Sequence, residues 1–235
     1  MKICLLTLTI LGIASATILQ NGQIRAGTYP STAIDAIWPS DEEWRTYPPS
    51  AEELSYKGRW DDQYISWWSA PGLKFGFQAE NVAISFGPHT SEGVLIAYRL
   101  DGQDWTLTNV TANSTHHLVK PSTPGYNLTS ASAVKTLELR ITNWAYGVQL
   151  SAVHVGGPGS SLVRLPLYGR TIEFIGDSLS AGALATLEGI SSYAWGLTYG
   201  LGEIEFSITA YPGICLHDGL CYGMLTNSPA MRMLY

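Results

Sequence analysis

A serine that could act as a nucleophile follows an apolar-rich run in the C-terminal part of the sequence. The segment Arg170–Gly182 reads RTIEFIGDSLSAG and brings Ser178 in directly behind Gly-Asp. An acyl-transfer site needs an exposed hydroxyl, a base that takes its proton, and hydrogen-bond donors aimed at the oxyanion. Ser178 could supply the hydroxyl, and its alternative role is the N-cap of a helix. The Gly-x-Ser-x-Gly elbow is absent, since Ser180 stands two positions after Ser178.

The elements around Ser178 predict where its partners lie. The run TIEFIG indicates a strand, SSYAWGLTYGLG a short helix from Ser191 or Ser192 to Gly200 or Gly202, and EIEFSITA a second strand. A strand–helix–strand unit of this kind makes the two strands parallel, with a right-handed crossover. If the strands are neighbours, Ser178 and Gly213 both lie on the rim where open α/β sheets bind ligands.

His217 is the histidine that this arrangement brings to the same rim, four positions after Gly213. A general base must come within hydrogen-bond reach of the serine hydroxyl. The alternative is an exposed loop histidine, held by a small disulfide loop, and this alternative is favoured.

Two pairs of neighbouring polar residues are further candidates. His116 and His117 would point to opposite faces of a strand, so they cannot chelate one ion together, and a solvated pair is favoured. Asp61 and Asp62 suggest paired carboxylates for glycoside cleavage. Their side chains, like those of any two adjacent residues, would point in different directions, so a polar turn is favoured. Tryptophans could stack on sugar rings, although core or interface packing is favoured for most of Trp60, Trp67 and Trp68.

The sequence before residue 165 has the pattern of an antiparallel β-domain. Short runs rich in Trp, Tyr, Val, Ile and Thr are separated by Gly, Pro, Asn and Asp, which favours a sandwich or barrel, with a jelly roll as the preferred form. In KTLELRIT, Leu137, Leu139 and Ile141 share one face, while Glu138 and Arg140 share the other, as in a half-buried strand. The Gly- and Pro-rich segment HVGGPGSSLVRLPLYGR indicates the domain boundary.

The N-terminus resembles an export signal over residues 1–19, with Lys2, an apolar run and a cleavage site near Ala16. The alternative is a membrane anchor, but the run is short for a spanning helix and carries polar residues. Loss of Lys2 changes the formal net charge from −6 to −7. This charge and the lack of a basic stripe disfavour nucleic acid as a partner, and no later segment could span a bilayer.

Sequons and cysteines agree with a secreted protein. Three sequons begin at Asn109, Asn113 and Asn127, which predicts glycosylation of a surface segment. After signal removal Cys215 and Cys221 remain, and in an oxidising compartment they most simply form a disulfide. A metal site is the alternative for the cysteine pair, and it is disfavoured because no second pair exists.

The block IGDSLSAG, followed by SITAYPGI, resembles the first two blocks of the SGNH or GDSL hydrolases. With the preceding β-domain, the chain resembles carbohydrate esterase family two and related fungal secreted esterases; YKGRWDD, SWWSAPGLKFGF, YRLDG and SYAWGL add to this resemblance. The resemblance implies that Ser178 is the nucleophile, that the amides of Ser178 and Gly213 form the oxyanion hole, and that Gly176 and Asp177 are structural members of the motif.

The sequence also departs from this family. The Gly-x-Asn-Asp block, which brings a third oxyanion donor, and the late Asp-x-x-His, which brings the base, are both missing. Two parallel strands and one helix would leave apolar faces of the sheet bare, because such sheets are normally covered on both sides. We therefore expect a C-terminally truncated chain that is inactive as written.

The combined expectation is a two-domain secreted protein. Residues 1–19 form the signal peptide, residues 20–165 an all-β jelly-roll sandwich, and residues 166–235 an incomplete α/β domain of the SGNH type, which is flavodoxin-like. The resemblance implies a serine esterase that deacetylates a polysaccharide such as xylan, an acylated carbohydrate as substrate, and neither a metal nor an organic cofactor. The alternative function is a secreted carbohydrate-binding module or pseudo-enzyme.

Overall fold

The chain is mostly β-sheet with few helices. The computed structural model describes residues 26–35, 44–126, 133–144 and 146–214, and the backbone of four residue pairs, 19–20, 23–24, 219–220 and 227–228. No helix in the described part of the chain is long and apolar enough to cross a membrane.

Several sequence predictions fall outside the described residues. These are the cleavage site near Ala16, the sequon at Asn127, the cysteine pair Cys215 and Cys221, and the candidate base His217. They remain predictions.

Fourteen strands are described before residue 165. They are β1 (Leu19–Gln20), β2 (Gln23–Ile24), β3 (Ala33–Ile34), β4 (Trp44–Tyr47), β5 (Ser55–Lys57), β6 (Ile65–Ser66), β7 (Gly72–Gln78), β8 (Asn81–Phe86), β9 (Val94–Leu100), β10 (Thr106–Val110), β11 (Thr115–Val119), β12 (Lys135–Ile141), β13 (Val148–Gly156) and β14 (Ser161–Val163).

All but β1 and β2 of these strands belong to two antiparallel sheets of six strands each. The first sheet has the order β10-β9-β12-β7-β14, with β5 also beside β7; the second has the order β3-β11-β8-β13-β4, with β6 beside β13. One hydrophobic cluster takes side chains from both sheets, including Phe75 and Phe77 from the first and Ile84 from the second. The sheets therefore pack as two layers around a shared core. We call residues 26–165 the two-sheet region.

Strand β12 shows where alternation in the sequence misleads. Leu137, Leu139 and Ile141 are buried in the shared core as predicted, but Glu138 and Arg140 are also buried, at 8% and 4% exposure. The prediction of a half-buried strand was wrong, because residues beyond 165 cover the outer face of the first sheet. A pattern in one strand reports the polarity of a face but not what packs on it.

The Gly- and Pro-rich segment that predicts a domain boundary contains strand β14, which pairs with β7 and extends the first sheet. The boundary near residue 165, just after this strand, remains a prediction. The run QYISWWSA forms only the two-residue strand β6, because the chain turns again at residue 67.

Residues 166–214, which we call the parallel region, contain the predicted strand–helix–strand unit. Its elements are β15 (Arg170–Gly176), α1 (Ser178–Ala181), a 3₁₀ helix (Glu188–Ser191), α2 (Tyr193–Leu201) and β16 (Ile204–Ala210). Strands β15 and β16 pair in parallel from Arg170↔Ile204 to Gly176↔Ala210. Beyond this region the backbone shows one further pair, β17 (Gly219–Leu220) with β18 (Asn227–Ser228).

Helix α2 begins and ends where its caps predict. The Ser192 hydroxyl accepts a hydrogen bond from Trp195 N at 3.1 Å, and the chain leaves the helix at Gly202, whose φ is 58°. A serine N-cap and a terminal glycine satisfy backbone groups that the helix cannot pair itself.

The two faces of the parallel sheet differ in polarity. On the α2 side, Phe206 contacts Trp195 with ring centroids 5.5 Å apart. On the other side, Glu173 and Thr209 are joined by a hydrogen bond of 2.7 Å, and Glu205 forms an ion pair. The prediction of bare apolar faces is thus wrong for this side, although Ile175 on it is 51% exposed.

Candidate active site

Ser178 is the first residue of helix α1, directly after strand β15. The N-cap is Asp177, whose Oδ1 accepts a hydrogen bond from Leu179 N at 3.0 Å, while its carbonyl accepts one from Ala181 N at 3.0 Å. Because Asp177 caps the helix, the Ser178 hydroxyl is not used for capping. It is half-buried and has no hydrogen-bond partner among the described residues.

Gly176 occupies a position where a side chain does not fit. A Cβ there would collide with the Oγ of Ser180 and lie 2.6 Å from its Cβ. Ser180 is buried, and its hydroxyl lies 2.7 Å from the hydroxyl of Tyr193 at the start of α2. The Gly-Asp-Ser order therefore has a steric reason at Gly176 and a capping reason at Asp177. The Ser178 side chain, by contrast, has no structural contact of this kind among the described residues.

Gly213 follows the neighbouring strand at the same end of the sheet. Tyr211 N donates to Gly176 O at 3.3 Å, so the pairing of β15 and β16 continues just past their last residues. Gly213 has a φ of 85°, in the region that glycine favours, within a turn closed by Ile214 N and Tyr211 O at 3.2 Å. Ser178 and Gly213 thus each follow the carboxyl end of one of two adjacent parallel strands.

The two-sheet region holds α1 in place. The buried hydroxyl of Ser69 donates to Ala181 O at 2.7 Å. This bond ties the loop before β7 to the helix that begins with Ser178.

The two-sheet region also holds the 3₁₀ helix in place. The buried carboxylate of Glu188 accepts hydrogen bonds from Asn143 Nδ2 at 2.9 Å and from Trp144 N at 3.2 Å, and Gly189 N donates to Thr142 O at 3.0 Å. These bonds connect the loop after β12 to the segment between α1 and α2.

Two aromatic side chains meet beside Gly213. Trp144, from the loop after β12, packs edge-on against Tyr211, with ring centroids 5.6 Å apart. Tyr211 lies two positions before Gly213 and is 37% exposed. Sequence reasoning missed this pair because the two residues are far apart in the chain, and nothing in the SITAYPGI block, which contains Tyr211, indicates Trp144 as its partner.

A polar chain also links the two regions. Arg59 donates to Thr209 Oγ1 at 3.1 Å, and this hydroxyl donates to Glu173 Oε1 at 2.7 Å. The guanidinium of Arg59 also lies over the Trp68 ring, 4.6 Å from its centroid. Arg59 thereby touches β16 four residues before Gly213, a role that nothing in its local sequence indicates.

The described histidines with ring hydrogen bonds are bonded within the two-sheet region. His116 contacts Thr32 Oγ1 and Ser114 Oγ, both at 3.0 Å, and it is only 2% exposed. The prediction of a solvated His116 was wrong because its strand, β11, turns it toward the core beside Phe86. His117, on the opposite face as predicted, lies 3.0 Å from Asn81 Oδ1.

His154 is the third of these histidines. It lies 2.9 Å from Thr46 Oγ1 and 2.8 Å from Ser85 Oγ. Burial lowers the pKa of both His116 and His154. Neither these three rings nor that of His89 hydrogen-bonds to the Ser178 hydroxyl, so within the described residues the candidate nucleophile has no histidine base in contact with it.

The remaining candidates have structural roles or stay open. Asp61 Oδ1 accepts hydrogen bonds from Gln63 N and Ile65 N, which confirms the polar turn, and Asp62 next to it is exposed. Trp60 packs against the shared core as predicted, whereas Trp67 is 48% exposed.

The two described sequons differ in the surroundings of their asparagines. Asn113 is exposed, in a turn with a φ of 53°. Asn109 is half-buried: its Oδ1 accepts from Tyr29 N, and its Nδ2 donates to Gly93 O, both at 2.8 Å. Glycosylation of either remains a prediction, and Asn113 offers the less hindered amide.

The described residues contain no cluster of three or more His, Cys, Asp or Glu side chains that could hold a metal ion.

The chain resembles solved structures of known proteins, but it matches no sequence family. No family model matches the chain, and no curated protein matches it. A family two carbohydrate esterase from Clostridium thermocellum, solved in complex with cellohexaose, matches with a TM-score of 0.62 and 21% identity, over 76% of this chain and 56% of that one.

Two further solved structures show the same likeness. A carbohydrate esterase family 2 enzyme from Corynascus thermopiles (Myceliophthora fergusii), with a carbohydrate binding domain, matches with a TM-score of 0.62 and 20% identity, over 76% of this chain and 55% of that one. The family two carbohydrate esterase from Cellvibrio japonicus matches with a TM-score of 0.60 and 16% identity, over 74% and 54%. This chain spans little more than half the length of these proteins, and what it shares with the family two carbohydrate esterases is their fold.

Proposed function

We propose that this chain carries the nucleophile-bearing part of a secreted GDSL-type serine esterase that removes acetyl groups from a polysaccharide such as xylan. The observation that carries the proposal is the position of Ser178 at the carboxyl end of β15, half-buried and with a hydroxyl that no described residue engages. The fold shared with carbohydrate esterases supports the same class of reaction. An acylated carbohydrate is accordingly the proposed substrate.

In the proposed reaction the Ser178 oxygen attacks the ester carbonyl, the bond from this carbon to the sugar oxygen breaks, and the sugar hydroxyl leaves with the proton that Ser178 gave up. Water then hydrolyses the acyl-enzyme, which releases acetate and restores the Ser178 hydroxyl. The backbone amides of Ser178 and Gly213 stabilise the developing oxyanion, because fixed N–H donors act strongly where water is excluded. Gly176 and Asp177 shape the turn that presents Ser178. Trp144 and Tyr211 offer aromatic surface next to Gly213, suited to an apolar face of a sugar ring.

Within its described residues, this chain lacks a general base in contact with Ser178. No described histidine hydrogen-bonds to the Ser178 hydroxyl, and without a general base the hydroxyl is a poor nucleophile. We therefore propose that the chain alone is inactive or turns over very slowly. Domain boundaries near residues 19 and 165, a jelly-roll form of the two-sheet region and an incomplete SGNH-type α/β domain belong to the same proposal.

The test compares the hydrolysis of 4-nitrophenyl acetate by the chain, by Ser178→Ala and by Ser151→Ala. Ser151 is an exposed serine of the second sheet and serves as the matched control. We expect slow hydrolysis that falls to the background rate in Ser178→Ala and is unchanged in Ser151→Ala. Equal rates above background for the chain and for Ser178→Ala would remove Ser178 from the mechanism, whereas background rates for all three proteins would favour the second candidate function.

A secreted carbohydrate-binding module or pseudo-enzyme is the second candidate. It is favoured by the same lack of a base beside Ser178 within the described residues, together with the exposed ring of Trp67. Binding to a polysaccharide array without turnover, retained in Ser178→Ala, would support this function. A longer chain that carries an Asp-x-x-His motif after residue 235 would discriminate between the two functions. Only an esterase would gain hydrolytic activity from this addition.

A further inference from the structure

A charged cavity lies between the two regions, away from the candidate active site. Its volume is about 180 Å³, and its walls come from the outer face of the first sheet, from Tyr168, and from the residues that end α2 and begin β16. Ser178 follows the other end of the parallel sheet. A seven-residue strand spans on the order of 20 Å, so the cavity and the Ser178 rim are separate sites.

The strand register places the charges of this cavity in two rows. In one row Lys74 lies opposite Glu138, and Glu138 lies opposite Arg99. In the next row Lys57 and Arg140 flank Gly72. A Cβ on Gly72 would lie 2.6 Å from Arg140 Cδ, so the glycine leaves room for the arginine.

The carboxylates in the cavity are already engaged. Glu138 accepts hydrogen bonds from Arg99 at 2.7 Å and from Arg140 at 3.0 Å. Glu205, from β16, holds the Lys57 ammonium with both oxygens at 2.6 Å. Four cations thus face two paired carboxylates; a third, Glu203, is exposed at the mouth.

Several donors of these cations have no partner among the described residues. Lys74 Nζ donates to Tyr168 Oη at 3.1 Å, which is its only hydrogen bond among the described residues. The carbonyl end of α2, which could offset positive charge, is engaged at Gly202 O by Arg170 at 3.2 Å. Buried charge without a counter-charge is costly, so an excess of cations in a partly buried cleft favours an anion.

We propose that this cavity is a binding site for a small oxyanion group, held by Lys74, Arg99 and Arg140. The shared chemistry is a planar or tetrahedral set of anionic oxygens that accept charge-assisted hydrogen bonds. Two sources fit this chemistry, an inorganic anion such as sulfate or the carboxylate of an acidic sugar. Such a site would link the two regions through the bound anion.

The experiment is calorimetric titration of the full chain in a low-salt zwitterionic buffer. Sodium sulfate and sodium glucuronate are the two probes, and glucose is the uncharged control. We expect saturable binding of at least one anion and none of glucose. Saturation with sulfate identifies an inorganic oxyanion as sufficient, and saturation with glucuronate alone identifies a carboxylate-bearing sugar.

The matched variants are Lys74→Met, which keeps the apolar stem and removes the ammonium, and Lys120→Met, which makes the same charge change at an exposed position of the two-sheet region. We expect Lys74→Met to weaken binding by about tenfold or more, as for a lost hydrogen bond to a charged group, and Lys120→Met to leave it unchanged. Lys74→Gln serves as a second variant if Lys74→Met does not fold. Absence of binding by both anions, or equal binding by the chain and its folded Lys74 variant, would overturn the proposal. Neither result depends on Ser178.

Discussion

At the scale of single residues, the turn that presents Ser178 has no space for a side chain at position 176. Gly176 faces the hydroxyl of Ser180, which is itself held by Tyr193. Among the described residues, the position of the candidate nucleophile is therefore set by packing around Gly176 and not by a bond to the Ser178 hydroxyl.

This packing predicts a stability effect for Gly176→Ala. The added methyl overlaps Ser180, and overpacking of this kind costs about 1 to 3 kcal/mol. Gly196→Ala is the control, because Gly196 lies within α2 with open space around its Cβ position, where alanine stabilises a helix by about 0.5 to 1 kcal/mol. Urea unfolding of both variants measures the difference, and an equal effect of the two substitutions would contradict the steric argument.

At the scale of elements, buried charges join the first sheet to α2 and β16. Arg99 and Arg140 share the carboxylate of Glu138, and both guanidiniums lie over aromatic rings, that of Arg140 being 5.1 Å from Trp195 and 5.0 Å from Phe206. Since Trp195 and Phe206 belong to the parallel region, the cations of the sheet are part of the contact between the two regions.

The network predicts a large penalty for Glu138→Gln. Removing one partner of a buried ion pair leaves charge uncompensated, which costs about 3 to 5 kcal/mol. The control is Glu52→Gln, which breaks the exposed pair between Glu52 and Arg164, whose closest N–O distance is 3.8 Å. Exposed pairs contribute about 1 kcal/mol or less. Guanidinium chloride unfolding would measure both, and comparable losses would show that Glu138 is not compensating buried charge.

At the scale of the whole molecule, stability should depend on pH through the buried histidines of the second sheet. Burial lowers the pKa of His116 from 6.5 to about 4, and it lowers that of His154 as well. A folded-state pKa below the unfolded value means that the unfolded chain binds protons more readily. The stability contribution is therefore complete above pH 6.5 and is lost as the pH falls from 6.5 toward 4.

The measurement is the free energy of unfolding of the chain and of His116→Gln between pH 4.5 and 7.5. Each histidine that protonates only on unfolding contributes a slope of up to about 1.4 kcal/mol per pH unit. We expect a shallower loss of stability in acid for His116→Gln. If the two proteins lose stability in parallel as the pH falls, His116 does not contribute to the acid sensitivity.

The sequence alone located those features that depend on near neighbours in the chain. Helix α2 begins after Ser192 and ends at Gly202, as the capping residues predicted. The strand–helix–strand order predicted the parallel pairing of β15 with β16. The Gly-Asp-Ser order marked Ser178 for the same reason, because a tight turn after a strand restricts residue types locally.

The tertiary structure decided what each face packs against. Burial of Arg140 and His116 could not be read from alternation, since alternation assigns a residue to a face but does not reveal what covers that face. The contact of Trp144 with Tyr211 and that of Arg59 with Thr209 join residues more than 60 positions apart. Such contacts arise only when the two regions dock, because docking depends on the shapes and charges of whole surfaces and not on any short stretch of sequence.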